Sequence, residues 1–338
     1  MRNPLQSNGH APRYLLGLEV GGSALKAIAL CIGAKRPQLA AAASEPSPPE
    51  DASDEVWVAT LQRLLDRCGI AARDVARLAT AVSGPRVSLT TFEMPRLVPR
   101  ELRRALPWEA RKHLPDEDRV CDYTVLADTP DATIHRVLLA SIPRADFERH
   151  LGILRAAGLE PEHVEPAALS LTRACRRLRG DIPAAACLVL DVGHRGTTLV
   201  LGDEHGEFFA RFLEVGLALR TPALVPAGDV EDDGDATALE PDLPQLVADA
   251  QSGGGEQLDE LVLETRRSVA FFASQRAVPA VGQLVLAGGG ATSDALVSAL
   301  GTALGVPVTT FGYRGNRAVP QIEPTHAVAY GLAIRAAS

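Results

Sequence analysis

Aromatic side chains are scarce in this chain, and their scarcity restricts the kind of core that it can build. Only 4% of the 338 residues are Phe, Trp or Tyr, although 46% are hydrophobic. The core is therefore predicted to consist mainly of Ala, Val and Leu. A chain of this length is long enough for two domains with a sizeable core.

Long apolar runs are also missing. No stretch of about 18 uncharged apolar residues occurs, so neither a membrane-spanning helix nor direct membrane insertion is expected. Residues 1–13, MRNPLQSNGHAPR, lack the apolar centre of a secretory signal and are expected to be disordered. We therefore expect a cytoplasmic protein that reaches a membrane only through partners.

The chain has an excess of acidic residues and no metal-binding spacing. Its net charge is −8 and its pI about 5.5, which argues against nucleic-acid binding. The five cysteines and eight histidines form no CxxC, HxxxH or HExxH pattern, so a site built from these side chains is not predicted. One predicted helix carries a basic cluster, which is either a solvated face or a contact with acidic partner residues or lipid headgroups. The cluster comprises Arg103, Arg104, Arg111 and Lys112.

Three glycine-bearing stretches are the most informative feature that is present. Residues 17–30 read GLEVGGSALKAIAL, residues 188–201 read LVLDVGHRGTTLVL, and residues 284–291 read LVLAGGGA. The first two are apolar on both sides of a glycine turn, which predicts β-hairpins. Glycine at a hairpin tip lets backbone N–H groups approach phosphate oxygens. Two such hairpins far apart predict two similar halves that close on one nucleotide.

These stretches resemble the actin-like ATPase superfamily. Residues 163–174 and 325–336 resemble the two helices that connect its halves, and all five pieces occur in the superfamily's order. The resemblance implies an α/β fold of the actin-like ATPase type. Such a fold has two ribonuclease-H-like halves around a nucleotide cleft, here with an inserted small subdomain like that of FtsA.

A narrower resemblance is to the PilM family of type IV pilus assembly proteins. It rests on four further stretches and extends over about residues 14–336; the stretches are residues 101–115, 121–126, 136–174 and 263–275. It implies a protein that binds the N-terminal cytoplasmic peptide of a PilN-like inner-membrane partner, at the inner face of that membrane. ATP and Mg²⁺ are the implied cofactors, with ATP a conformational ligand and the protein at most a weak ATPase. Contacts with pilus motor components and a homo-oligomer stay open.

The resemblance also implies a domain organisation. The predicted units are residues 14–84 for the first half of domain I, 85–160 for the inserted subdomain, 161–183 for a connecting helix, 184–324 for domain II and 325–338 for a C-terminal connecting helix. Residues 225–257 are rich in Asp, Gly and Pro and are expected to form a flexible acidic insert in domain II. Pro107 is expected to kink the helix predicted over residues 99–113.

Transferred position by position, the resemblance implies a nucleotide site. Its cofactor-binding residues are Glu19, Gly21, Gly22, Ser23, Lys26, Asp191, Gly193, Thr197, Thr198, Gly288, Gly289 and Gly290. Asp191 and Glu19 are the metal-side carboxylates, although the superfamily places Asp where this chain has Glu19. Lys26 either binds phosphate or is an ordinary exposed strand lysine, and Asp191 alternatively caps its own turn. Glu165 is the candidate that orients an attacking water.

Four residues are candidates for the partner groove between the first subdomain and the inserted one: Trp108, Leu114, Val120 and Tyr123. Trp108 alternatively belongs to the subdomain core. Other functions also stay open, namely a small-molecule kinase or phosphatase, a GspL-like secretion scaffold, and a scaffold that binds no nucleotide. Glu19 and the lack of a base Asp near Glu165 argue against phosphoryl transfer, which needs well-placed Mg²⁺ and a base.

Overall fold

The structure is a computed structural model. It describes residues 13–32, 37–115, 117–126, 133–179, 186–202, 208–217, 243–275, 280–312 and 322–338, and the side chains of residues 243–254 are not described. In these ranges no helix is both long and apolar enough to cross a bilayer. The predicted disorder of residues 1–12 lies outside the described residues.

The helices and strands alternate along the chain. In order they are β1 (Arg13–Val20), β2 (Ala24–Ile32), β3 (Gln38–Pro46), α1 (Asp54–Cys68), β4 (Val75–Val82), β5 (Ser88–Pro95), α2 (Pro99–Arg111), β6 (Arg119–Val125), β7 (Ile134–Pro143), α3 (Arg144–Ala156), β8 (His163–Pro166), α4 (Ala167–Arg179), β9 (Ala186–Val192), β10 (Thr197–Gly202), β11 (Phe208–Leu213), α5 (Leu243–Gln275), β12 (Val281–Ala287), α6 (Asp294–Leu304), β13 (Val308–Thr310) and α7 (Ala327–Ala336).

Two five-stranded sheets share one topology. The first has the order β3-β2-β1-β4-β8 and the second β11-β10-β9-β12-β13. In each sheet the first three strands form an antiparallel meander, and the last two run parallel to the first strand. We call the first sheet with α1 and α3 lobe I, and the second sheet with α5 and α6 lobe II. The repeated topology is that of the two similar halves predicted from the hairpins.

Helices α4 and α7 lie between the lobes. One buried cluster joins them to both sheets, with Leu15 and Ile28 from lobe I and Val189 and Val285 from lobe II. Close backbone approach requires glycine here: a Cβ on Gly331 of α7 would stand 1.9 Å from the Ser170 carbonyl oxygen of α4. The shared core fixes both lobes to one central pair of helices.

Two glycines with open surroundings show how backbone conformation alone decides whether alanine would stabilise or destabilise the fold. At Gly152, inside α3, and at Gly305, after α6, an added Cβ would meet no atom within 4 Å, but Gly305 has a φ of +66°. We expect Gly152→Ala to raise the free energy of unfolding by about 0.5–1 kcal/mol, because alanine favours a helix interior over glycine. Gly305→Ala should lower it by about 1 kcal/mol, because its φ is left-handed. Urea unfolding of both variants tests this contrast.

The inserted subdomain contains the three-stranded sheet β5-β7-β6 and helix α2. Its small core includes Phe92, Leu106 and Leu139. Helix α2 begins with Pro99 and continues through Pro107 to Arg111. Helix α3, which falls within the predicted unit 85–160, contacts β6 and β7 and also packs against α1 of lobe I, where Leu154 is fully buried.

Two segments differ from the sequence predictions. Residues 44–46, where Ser, Glu and Pro favour a loop, instead complete strand β3, whose alanine-rich sequence has little intrinsic strand preference. The flexible insert predicted over residues 225–257 lies partly outside the described residues, but from Leu243 onward its chain is helical and forms the first part of α5. The apolar stripe after residue 257 continues that helix into lobe II, where Leu261 and Phe272 are buried.

Candidate functional site

The tips of the two glycine hairpins face each other across the lobes. In the β1–β2 turn, Gly21 N–H donates to the Ala24 carbonyl at 3.2 Å, and the Ser47 hydroxyl donates to the Gly21 carbonyl at 2.6 Å. A Cβ on Gly22 would stand 3.1 Å from Cδ of Arg195, which belongs to the β9–β10 turn. The structure thus brings together the two loops that the sequence predicts to bind phosphate.

A charged group lies beneath these tips. Glu19 and Lys26 are paired in register on β1 and β2, and Lys26 Nζ donates to Glu19 Oε1 at 3.0 Å. Burial lowers the pKa of the Lys26 ammonium, but the charges of Glu19 and Asp191 and the Glu19 hydrogen bond outweigh that effect, so the pKa is raised. Lys26 is therefore a charged, part-buried member of the cleft and not an ordinary exposed strand lysine.

Asp191 brings a second carboxylate to this group from lobe II. Burial raises its pKa to about 7, with the negative charge of Glu19 acting in the same direction and Lys26 opposing the shift. Two carboxylates from opposite lobes therefore repel each other, and the Lys26 ammonium attracts both. Such a pair is stabilised by additional positive charge.

The third glycine stretch adjoins Asp191. A Cβ on Gly288, whose φ is +76°, would stand 2.5 Å from Asp191 Oδ1, and one on Gly290 would stand 2.5 Å from Val192 Cγ1. Gly289 has no such neighbour. The segment after β12 is thus a tight glycine turn against the second hairpin. The positive φ at Gly288 is by itself a structural reason for glycine at this position.

The donor set fits a magnesium ion. Glu19 Oε2 is buried and, within the described part of the chain, has no hydrogen-bond partner. Oxygen ligands from one or two carboxylates, completed by water and phosphate, are what Mg²⁺ prefers in proteins. Glu19 Oε2 and the Asp191 carboxylate are therefore the groups that would hold the ion.

Of the remaining predicted nucleotide residues, two lie at the hairpin tips and two lie on strand β10. Ser23 is exposed at the first tip, and Gly193 closes the second through an N–H bond to the Gly196 carbonyl at 3.0 Å. Thr198 is opposite Asp191 in the β-ladder, so both side chains share one face of the sheet. Thr197 is on the other face, fully buried, and its hydroxyl donates to the Val215 carbonyl at 2.8 Å. Its hydroxyl is already used within lobe II.

Glu165, the candidate water-orienting residue, is engaged on both oxygens. Ser170 Oγ donates to Oε1 at 2.5 Å, Arg173 Nη1 also donates to Oε1, and Arg173 Nη2 donates to Oε2 at 2.9 Å. This bidentate ion pair ties β8 to α4, and with the Ser170 bond it occupies most of the lone pairs with which Glu165 would hold a water molecule. The geometry accounts for Glu165 as a structural residue, and its catalytic role stays a prediction.

A second concave region is a groove of about 1670 Å³ between the inserted subdomain and lobe I. Two edge strands border it, because residues 120–124 of β6 and 163–166 of β8 all line it and both strands end their sheets. Side chains alternate between the faces of a strand, so a consecutive run of lining residues means that the strand edge itself faces the groove. Lobe II contributes Gly202 and Phe208.

The four predicted partner residues separate in the structure. Val120 and Tyr123 line the groove, whereas Leu114 packs against the core of the inserted subdomain. Trp108 is 72% exposed on α2 and is neither in that core nor among the groove-lining residues. The alternative interpretation of Trp108 as subdomain core is therefore wrong.

A family model described as type IV pilus assembly protein PilM matches residues 17–337. The chain belongs to the PilM family. No curated protein matches it.

Solved structures agree with the PilM assignment. The chain is similar to a structure of a PilM-PilN type IV pilus biogenesis complex, with 25% identity, 96% of this chain and 98% of that chain covered, and a TM-score of 0.75. The ethanolamine utilization protein EutJ from Carboxydothermus hydrogenoformans matches at 13% identity with 97% and 91% coverage and a TM-score of 0.51, which shows the fold alone. The predicted actin-like ATPase fold is confirmed.

Sequence reasoning missed one contact between the lobes of this PilM-family chain. Arg195 Nη1 is 2.9 Å from Oε1 of Glu50, so the tip of the second hairpin is paired with the loop after β3. Only the unusual His-Arg pair at the tip could have drawn attention to Arg195, and nothing in the polar stretch around Glu50 indicated its partner.

Proposed function

We propose that this chain acts in type IV pilus assembly by holding the N-terminal cytoplasmic peptide of a PilN-like inner-membrane protein in the β6–β8 groove. ATP with Mg²⁺ would act in the cleft as a conformational ligand with little turnover. The protein would thereby be cytoplasmic and located at the inner face of the inner membrane. The PilN chain in the related PilM-PilN complex supports the choice of partner.

The observation that carries this proposal is the form of the groove. Its volume of about 1670 Å³ exceeds the range of about 300–1,000 Å³ that is typical of small-molecule pockets. Two of the strands that line it, β6 and β8, are edge strands, which offer backbone N–H and C=O groups to an added strand. An extended peptide therefore fits better than a compact metabolite, with side-chain specificity supplied by Val120 and Tyr123.

The cleft supplies the nucleotide site of the proposal. The Gly22 N–H and the Ser23 hydroxyl would bind the phosphates, Gly21 and Gly193 would shape the turns through their own backbone bonds, and Lys26 would contribute positive charge. When bound, Mg²⁺ would neutralise phosphate charge and the mutual repulsion of Glu19 and Asp191. Ligand binding at this point would favour the closed arrangement of the lobes.

Lobe II and the central helix α4 would couple the nucleotide cleft to the groove, because both contribute residues to the groove. Lobe II lines the groove through Phe208, whose carbonyl is 3.5 Å from the Thr91 hydroxyl of the inserted subdomain. Arg173, on the central helix α4, also lines it. A change in lobe closure would alter the width of the groove and hence the affinity for the peptide.

Calorimetric titration with Mg-ATP, with phosphate release followed on the same sample, tests the role of the nucleotide. We expect saturable binding with release slower than roughly one per minute, well below the turnover typical of enzymes. Fast release would instead favour the kinase or phosphatase alternative and call for an acceptor screen. Absence of binding, with peptide binding intact, would favour a scaffold that binds no nucleotide.

The raised pKa of Asp191 gives this binding a pH dependence. Only the ionised carboxylate is a metal ligand, so protons compete with Mg-ATP below the pKa of about 7. We expect the affinity for Mg-ATP to fall by up to about tenfold per pH unit below that value and to level off above it. The nucleotide titrates as well, so the quantity to compare is the difference in slope between the wild type and Asp191→Asn. Equal slopes would contradict the assignment of Asp191.

A further inference from the structure

The outer face of helix α2 combines arginines with an exposed tryptophan. Arg100, Arg104, Pro107, Trp108 and Arg111 follow at spacings of four, three, one and three residues, so they lie on one side of the helix. All five are exposed. We call these five residues the α2 strip. Its guanidinium groups and indole ring face solvent together in a protein whose net charge is −8.

The opposite side of the helix explains why the strip faces outward. Leu106 and Ala110 are buried against the sheet of the inserted subdomain, and Leu102 packs beside them. In the described residues, Arg100, Arg104 and Arg111 form no ion pair, whereas Lys112 is paired with Glu109 at 2.8 Å on another side of the helix. Helix α2 has two glutamates, Glu101 and Glu109, against four arginines at positions 100, 103, 104 and 111, so it carries a net positive charge.

Trp108 is held within this charge. The Arg111 guanidinium carbon lies 5.4 Å from the centre of the Trp108 ring, a cation–π arrangement, and the Trp108 side chain is 72% exposed. Val98, just before the helix, is 60% exposed as well. Exposed apolar groups flanked by arginines on a polar helix face are typical of surfaces that lie in the headgroup region of a membrane.

We propose that the α2 strip docks this protein directly onto an anionic lipid surface. The arginines would contact lipid phosphates, and the Trp108 ring would enter the interface between headgroups and acyl chains. A bilayer suits the strip because it offers phosphates to the arginines and an apolar boundary to the exposed Trp108 and Val98 side chains at the same time. The strip is separate from the β6–β8 groove, since none of its residues lines that groove.

Vesicle binding of the full chain tests the proposal without any partner protein. The chain has two tryptophans, and Trp57 is buried, so a Trp57→Phe background reports on Trp108 alone. We expect binding to vesicles of phosphatidylcholine with phosphatidylglycerol, weaker binding to phosphatidylcholine alone, and a shift of Trp108 emission to shorter wavelength on binding. Trp108→Ala should retain partial, salt-sensitive binding through the arginines.

Charge removal identifies the surface. Arg104→Gln with Arg111→Gln should lower the vesicle partition coefficient by about 25-fold, or fivefold for each arginine. The matched control is Arg73→Gln with Arg266→Gln, at two exposed arginines outside α2, and it should change the coefficient by less than about twofold. Equal losses in both pairs, an unshifted Trp108 emission, or binding to polyglutamate but not to vesicles would overturn the proposal.

Discussion

Asp191→Asn is expected to weaken Mg-ATP binding by at least about 100-fold, or about 2.8 kcal/mol, while making the ligand-free protein more stable. The loss follows because an amide keeps the shape of the side chain but removes the charge that would hold the metal. The gain follows because burial and the negative charge of Glu19 disfavour the ionised Asp191 carboxylate. A substitution that weakens Mg-ATP binding but raises the free energy of unfolding identifies a functional carboxylate, because replacing a structural carboxylate would lower the free energy of unfolding.

The sign of the stability change depends on pH. The folded-state pKa of Asp191 is raised from its ordinary value of 3.8 to about 7, so this carboxyl contributes its full stability to the ligand-free protein below pH 3.8 and loses that contribution as the pH rises to about 7. At a pH above the shifted value, Asp191→Asn should therefore raise the melting temperature by about 2 °C or more. The measurements are calorimetric titration and thermal unfolding, with Asp259→Asn on the exposed face of α5 as the control. A lower melting temperature would indicate that Asp191 stabilises its own turn.

Tyr123→Ala is expected to weaken binding of the partner peptide by about 30-fold or more, which corresponds to about 2 kcal/mol. Tyr123 lines the groove from the edge strand β6 and also packs against the core of the inserted subdomain, so it is an aromatic anchor on that side of the groove. Tyr123→Phe keeps the ring and should retain most of the affinity. Fluorescence anisotropy of a labelled peptide measures the effect.

Trp108→Ala is the control for that experiment. The indole is exposed on α2 and does not line the groove, so its removal should leave peptide affinity unchanged within about twofold. Near-ultraviolet circular dichroism of Tyr123→Ala establishes that the subdomain is still packed. If Trp108→Ala abolished peptide binding and Tyr123→Ala did not, the peptide site would lie on α2 and the groove assignment would be wrong.

The parts of the fold that were predictable are those that local patterns dictate. Apolar runs broken by glycine predicted both hairpins, and the structure pairs Glu19 with Lys26 and Asp191 with Thr198 in their ladders. Strand β3 escaped prediction because a run of alanines carries no strand signal. The first part of α5 was not predicted to be helical because composition describes only the average preference of a segment. Here the helix extends from the amphipathic segment that packs in lobe II.

The sequence could not predict which contacts the candidate site residues make with other elements of the fold. Glu165 matches a functional position, yet Arg173 and Ser170 occupy its oxygens in the structure. Thr197 and Thr198 are neighbours of the same chemical type, and only the strand alternation assigns one to the lobe II core and the other to the face of Asp191. Residue type identifies candidate site residues, but strand register and tertiary contacts decide which of their polar atoms remain free to bind a ligand.

The most direct test of the account is calorimetric titration of the full chain with the N-terminal cytoplasmic peptide of the PilN-like partner, with and without saturating Mg-ATP. We predict that the peptide binds in both conditions and that Mg-ATP changes its dissociation constant by about 5- to 150-fold. Linkage requires the peptide to change the affinity for Mg-ATP by the same factor. A peptide that does not bind, or one whose affinity is the same with and without Mg-ATP, would contradict a groove controlled by the nucleotide cleft.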